Sequence, residues 1–289
     1  MFDEKEFERL KINISQVVKE RLPRYWDYIP RPLLKLLSDL CQQNKLNELL
    51  RNNLGLTGVE FCRAVLRDLN VRGRFHNEEL LPDISNPRVL YVSNHPLGAL
   101  DGMLMIDYLS RRYNRPAKFM VNDLLLYVKP LRPVFLGVNK FGSQSRITAS
   151  AVDEAFESDT PMMIFPAGFC SLPSPLGSIR DTKWHRMFVK KCIQHNRPVV
   201  PLYFDGLNSP LFYKMANLRR ALGFKTTLEI LLTPYEMFRN RDKVFDIHFG
   251  KFFTPEQLAE QPVDLTTLRI KEAVYDIKSK LYLPPGVKV

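Results

Sequence analysis

The chain has 289 residues, 45% of them hydrophobic and 11% aromatic, which excludes disorder and accommodates one large α/β domain with a smaller appendage. A formal net charge of +11 favours anionic partners: nucleic acid, a phospholipid surface or an acidic carrier protein. The four cysteines are widely spaced and form no CxxC pair, which argues against a disulfide framework or a zinc site.

Residues 1–80 read as helical. Phe7, Leu10, Ile14, Val17 and Leu22 recur at helical spacing until Pro23 stops the pattern. The charged start, Met1 to Glu6, does not resemble a signal peptide. A second amphipathic stretch runs from Leu33 to Leu50 and a third from Glu60 to Leu69. From residue 88 short β-branched or aromatic runs alternate with helical segments. They are Val89–Val92, Ala117–Val121, Val134–Val138, Met162–Phe165, Val199–Phe204, Thr227–Leu232 and Asp246–Phe249. That alternation predicts a mixed, largely parallel sheet covered by helices.

No stretch reaches the roughly 18 apolar residues of a spanning helix. The longest, Leu124 to Val138, is broken by Lys129, Pro130, Arg132 and Pro133. Membrane contact is therefore expected to be peripheral. The C-terminal part returns to helix: Thr254-Pro255-Glu256-Gln257 is a capping box, followed by an apolar face of Ile270, Val274, Ile277 and Leu281.

The chemistry concentrates in two segments. In the first, a strand ends at Ser93, Asn94 and His95 fall in the turn, and a helix starts near Gly98 with Asp101 close behind. An imidazole there can take a proton from a hydroxyl while a carboxylate fixes its tautomer. The six-residue separation would put the two side chains on different faces of one helix, so the Pro96-Leu97-Gly98 turn must fold back to join them. The plainer reading is a capping histidine and a first-turn aspartate that complements the helix dipole. The second segment is an apolar strand ending in Phe165-Pro166-Ala167-Gly168 and a small polar turn through Cys170 and Ser171.

In this order the segments resemble the glycerol-phosphate and lysophospholipid acyltransferase superfamily. That family carries an Asn-His-x4-Asp block, an Arg-bearing block, Phe-Pro-Glu-Gly-Thr-Arg-Ser and a Val-x-Pro strand. The counterparts are Asn94, His95 and Asp101, the segment from Gly137 through Lys140 to Arg146, Phe165 to Ser171, and Val199-Val200-Pro201. Two departures stand out: five residues rather than four separate His95 from Asp101, and Ala167 and Cys170 replace the family's Glu and Arg. Both resemble the branch that carries the hemolysin label, whose characterised members make ornithine or glycine lipids. Val138-Asn139-Lys140-Phe141-Gly142, Asp181 with Trp184, and Phe204 to Ser209 are similar to that branch as well.

The resemblance covers most of residues 80–250, and with the shift in composition near residue 80 it gives an expected acyltransferase domain over 81–289 behind an N-terminal helical region over 1–80. It implies transfer of a fatty acyl chain, not an amino-acyl one, from acyl carrier protein or acyl-CoA to the hydroxyl of a lyso-lipid acceptor. That acceptor is a 3-hydroxyacyl glycine or ornithine. His95 is then the general base, with no acyl-enzyme, metal or organic cofactor. The oxyanion would meet backbone N–H groups near Gly168 or at the helix start after His95.

Asn94, Lys140, Arg146, Phe165, Pro166, Gly168, Ser171 and Arg180 are the candidate substrate-binding residues. The three cations among them suit a carboxylate or phosphate. Cys170 and Ser171 are not expected to be nucleophiles, since no second base and no Gly-x-Ser-x-Gly elbow accompanies them. Asp181 and Trp184 read equally as an N-cap and a buried ring.

Pro23 to Leu50 and Leu211 to Lys225 mix aromatic, leucine and basic residues and suit an anionic lipid surface. The expected location is the cytoplasmic face of the inner membrane. Alternatives are a 1-acylglycerol-3-phosphate acyltransferase and a non-catalytic lipid-binding or hemolytic protein. No nucleic-acid recognition motif accompanies the positive charge.

Overall fold

The computed structural model describes residues 4–21, 23–24, 26–138, 146–174, 177–223 and 228–281. Nine strands are present among them: β1 (Arg72–His76), β2 (Leu90–Ser93), β3 (Lys118–Asn122), β4 (Phe135–Val138), β5 (Met162–Ile164), β6 (Leu172–Pro173), β7 (Ile179–Arg180), β8 (Val199–Asp205) and β9 (Val244–Phe249). β6 and β7 form a small ribbon. The rest build one seven-stranded sheet in the order β1-β9-β8-β2-β5-β3-β4. Every pairing in it is parallel except β8 with β9.

Helices α1 (Glu4–Leu10), α2 (Ile14–Arg21), α3 (Arg31–Leu40), α4 (Gln43–Asn52) and α5 (Gly58–Asp68) precede the sheet. Then come α6 (Leu100–Arg112), α7 (Arg146–Glu157), α8 (Met187–Gln194), α9 (Pro210–Ala221), α10 (Thr233–Arg239), α11 (Pro255–Ala259) and α12 (Val263–Leu281).

The central strands are apolar throughout because both of their faces are covered. Side-chain alternation divides each strand between two cores. Tyr91, Met163, Val200, Leu202 and Phe204 face one core with α5 and α6. Leu90, Val92, Met162, Val199 and Tyr203 face the other with α8 and α12. Phe7, Leu49, Leu50 and Phe61 belong to the first of these cores, so it runs continuously across residue 80.

Three expectations are corrected. Residues 72–76 form a strand inside the stretch read as helical; with Arg72, Arg74 and His76 it is polar because it lies at the sheet edge. The run 33–50 is two helices, broken where Gln42 adopts φ 50°. Residues 228–232 form a 3-10 turn instead of a strand and lead directly into α10. The capping box at Thr254 and Gln257 is present as expected.

The connections set the site. β2 and β5 are neighbours, yet the chain leaves β2 through α6 over one face toward β3 and leaves β5 through α8 over the other toward β8. Such a divergence opens a crevice beyond the carboxyl ends of the two strands, where ligands of open α/β sheets bind. His95 follows β2 and Phe165 follows β5 at that end.

Candidate active site

The turn after β2 does fold back. Gly98 takes φ +81°, a conformation glycine adopts without a Cβ penalty, and brings Asp101 in the first turn of α6 under the His95 ring. Nδ1 of His95 lies 2.9 Å from Oδ2 of Asp101. The same oxygen accepts the Leu97 and Gly98 N–H groups at 3.0 and 3.3 Å, and Oδ1 accepts that of Gly102 at 2.9 Å.

Asp101 is fully buried. Burial works against its charge, but the His95 charge, its hydrogen bond and the Leu97 and Gly102 N–H groups outweigh it and hold the carboxyl below its ordinary value. An ionised carboxylate can only accept, so Nδ1 carries a proton, and it is Nε2 whose lone pair is free in the neutral ring. Nε2 has no hydrogen bond among the described residues, and the ring lies in the wall of an apolar cavity. Phe165 covers one face of the imidazole, with ring centres 3.9 Å apart.

A second carboxylate supports the turn from below. Asp181 is buried and accepts the Ser171 hydroxyl at 2.6 Å, the Trp184 indole N–H at 2.8 Å and the His95 backbone N–H at 3.3 Å. Burial pushes its carboxyl up, against the opposing pull of those donors. The Ser171 N–H closes the loop by donating to the His95 carbonyl at 2.8 Å. Trp184 is thus a buried ring that also donates a hydrogen bond.

The cavity is about 270 Å³ and is walled chiefly by aliphatic and aromatic side chains. Ile12 from the link between α1 and α2 and Leu46, Leu49 and Leu50 of α4 line it together with Met103 and Ile106 of α6. Sequence reasoning assigned no such role to the N-terminal helices. It also missed Glu229 and Thr233 in the same wall; a charged residue inside the apolar run Leu228–Leu232 was the one available signal.

The expected binding residues separate. Phe165 and Gly168 line the cavity with His95. Asn94, Pro166, Ser171 and Arg180 do not. Both amide atoms of Asn94 are taken by the Phe204 backbone, at 2.9 and 2.8 Å, tying the turn to β8. The Pro166 carbonyl accepts the His185 N–H at 3.0 Å. Arg180 pairs with Glu272 at 2.7 Å and lies over the Tyr275 ring. Lys140 and the Arg146 side chain fall outside the described residues.

Of the N–H groups expected to meet an oxyanion, that of Gly168 is committed to the Phe165 carbonyl and those of Leu97 and Gly98 to Asp101. Burial pushes the Cys170 thiol well up, which disfavours a thiolate. No group of three or more His, Cys, Asp or Glu among the described residues is arranged to hold a metal.

An imidazole with a fixed tautomer at the crevice of a largely parallel sheet, opening on an apolar cavity, is equipped to activate a hydroxyl beside a lipid chain. The family comparison agrees: the acyltransferase family model matches residues 16–283, and the chain belongs to that family.

Within it, the chain is 38% identical over 240 residues to the lyso-glycine lipid O-acyltransferase of Phocaeicola vulgatus, covering 83% of this chain and 85% of that protein. It is 36% identical over 263 residues to the lyso-glycine lipid O-acyltransferase of Bacteroides thetaiotaomicron, covering 88% and 96%. The crystal structure of the 1-acyl-sn-glycerophosphate acyltransferase of Thermotoga maritima aligns over 93% of this chain and 99% of that chain. Its identity is 12% and its TM-score 0.43, a likeness too distant to inform the site.

Proposed function

We propose that the protein transfers a fatty acyl chain from a thioester carrier to the hydroxyl of a lyso-aminolipid, a 3-hydroxyacyl glycine first and its ornithine counterpart second. The observation that carries the reading is the His95–Asp101 pair, 2.9 Å apart, facing the apolar cavity. The names of the two relatives supply the acceptor class.

Nε2 of His95 takes the hydroxyl proton as the oxygen attacks the thioester carbonyl. Asp101 stabilises the imidazolium that forms. The tetrahedral intermediate collapses with cleavage of the C–S bond, and the imidazolium returns the proton to the departing thiolate. The products are an ester and a free thiol. Holding the two substrates side by side in the cavity supplies the orientation the step needs.

Phe165 positions the imidazole, and Gly168 shapes the entrance beside it. Lys140 and Arg146 are the proposed partners of the acceptor carboxylate or the donor phosphate. Asn94, Pro166, Ser171 and Arg180 act through the scaffold, to judge from their bonds within it.

Acyl carrier protein or acyl-CoA is the proposed donor. The protein works as a peripheral one at the cytoplasmic face of the inner membrane. Leu33 and Leu36 on α3, Leu211 and Leu218 on α9 and Leu222 just after it are exposed and supply apolar contact. No helix among the described residues is long and apolar enough to cross a membrane.

The test is a competition between 3-hydroxyacyl glycine and 1-acylglycerol 3-phosphate for labelled acyl carrier. Labelled diacyl glycine lipid is expected. Transfer to the phosphate acceptor alone would overturn the choice in favour of phospholipid synthesis.

A further inference from the structure

Among the described residues, three side chains in the cavity wall bear nitrogen or oxygen: His95, Glu229 and Thr233. Glu229 is buried, and both of its oxygens are held by the Arg219 guanidinium, at 2.8 and 3.0 Å. Thr233 is different. Its hydroxyl oxygen is buried and bonds to no described residue. It stands at the start of α10, where no side chain caps the helix, so capping does not account for it. A buried hydroxyl left unmet costs stability, and most such groups in native proteins find a partner.

Its location narrows what the partner is. A Cβ built on Gly98 would lie 3.1 Å from Thr233 Cγ2 and 3.4 Å from Thr233 Oγ1. Gly98 belongs to the turn that carries His95 and is itself bonded to Asp101. The unmet hydroxyl therefore sits against the turn that presents the base, on a residue of a cavity wall whose other polar side chains are His95 and the Arg219-bound Glu229.

We propose that Thr233 is a specificity-determining residue whose hydroxyl oxygen accepts the amide N–H of an N-acyl amino acid acceptor while His95 engages that acceptor's hydroxyl. This rests on the acceptor class proposed above. In a 3-hydroxyacyl amide a single methylene separates the hydroxyl-bearing carbon from the amide carbonyl. A base on the hydroxyl and a hydrogen-bond partner on the amide must then be neighbours, as the His95 turn and Thr233 are. A glycerol-based acceptor offers an ester at that distance and has no N–H to give, so the hydroxyl oxygen would lose that donor and could only give its own proton to the ester carbonyl.

The experiment compares Thr233→Val, which keeps the shape and removes the oxygen, with Thr233→Ser, which keeps the oxygen. Each is assayed on N-(3-hydroxyacyl)glycine and on its ester analogue, in which oxygen replaces the amide nitrogen. Thr233→Val is expected to raise KM for the amide roughly tenfold with kcat held, to leave the ester unchanged, and to be rescued by serine. An unchanged KM for the amide in the valine variant, or equal losses on amide and ester, would overturn the assignment while leaving the acceptor class standing. Failure of the wild-type protein to acylate the amide at all, with turnover of another acceptor, would remove the acceptor class and Thr233 with it.

Discussion

Asp101→Asn separates the charge of the carboxylate from its geometry. Oδ2 receives three donors (His95 Nδ1, Leu97 N and Gly98 N), whereas Oδ1 receives only Gly102 N. An asparagine will therefore place its oxygen at the Oδ2 position, where a single backbone N–H confronts the new amide. The opposite flip confronts two, and each unmet buried donor costs about 1–3 kcal/mol. In the favoured orientation the imidazole keeps its tautomer and its place; the negative charge beside the developing imidazolium is what disappears.

A hydrogen bond to a charged group is worth about 1.5–3 kcal/mol, and each ~1.4 kcal/mol is tenfold in rate. The kcat of acyl transfer is accordingly expected to fall by about 10- to 100-fold, with a stability loss of about 1–3 kcal/mol from the one stranded Gly102 N–H. Steady-state assays with a labelled acyl thioester, alongside a thermal melt, check this. A variant with wild-type kcat would refute the role of the charge. One as inactive as His95→Ala would refute the retained tautomer.

Asp101→Ala should behave differently, because it strands the Leu97, Gly98 and Gly102 N–H groups; a loss of about 3 kcal/mol or more in urea unfolding is expected. Gly98→Ala places a Cβ 2.6 Å from Cys170 Sγ at φ +81°, so activity and stability should both fall. Adding Cys170→Ala should restore part of the loss, leaving the roughly 1–2 kcal/mol cost of the left-handed backbone.

Arg197 is fully buried and its guanidinium bonds the carbonyls of Ala155, Phe156, Ser158 and Thr160 at the end of α7. Arg197→Met should lower the denaturation midpoint by the equivalent of about 3 kcal/mol, while distant surface changes leave it alone. Asp101 is held below its ordinary 3.8, so its contribution to stability is complete above that pH and is lost as pH falls through the folded value. Acid unfolding below about pH 4 should be shallower in Asp101→Asn than in the wild type.

Much of this was legible because the central sheet is apolar: a strand covered on both faces must be. β1 was not, since an edge strand carries Arg72, Arg74 and His76 for the opposite reason. His76, which has no evident partner in the sequence, pairs with Asp246 at 2.7 Å and stacks on His248, contacts that exist only once β1 lies beside β9. The pairing of His95 with Asp101 could be read from the glycine and proline between them.

The inward turn of Thr233 and the use of Leu46, Leu49 and Leu50 as cavity wall could not be read, for they depend on long-range packing. Asn94 sits in the most informative motif of the chain yet spends its amide on the backbone of Phe204, 110 residues away. Motif position marks a residue as constrained without saying which constraint acts.

The most direct test is a single-turnover transfer from a labelled acyl carrier to 3-hydroxyacyl glycine, with wild-type protein and His95→Ala side by side. Ester formation by the wild type and a loss of about 10²–10⁴ in rate on removal of the imidazole are expected. Equal rates from the two proteins, both folded, would contradict a base at His95.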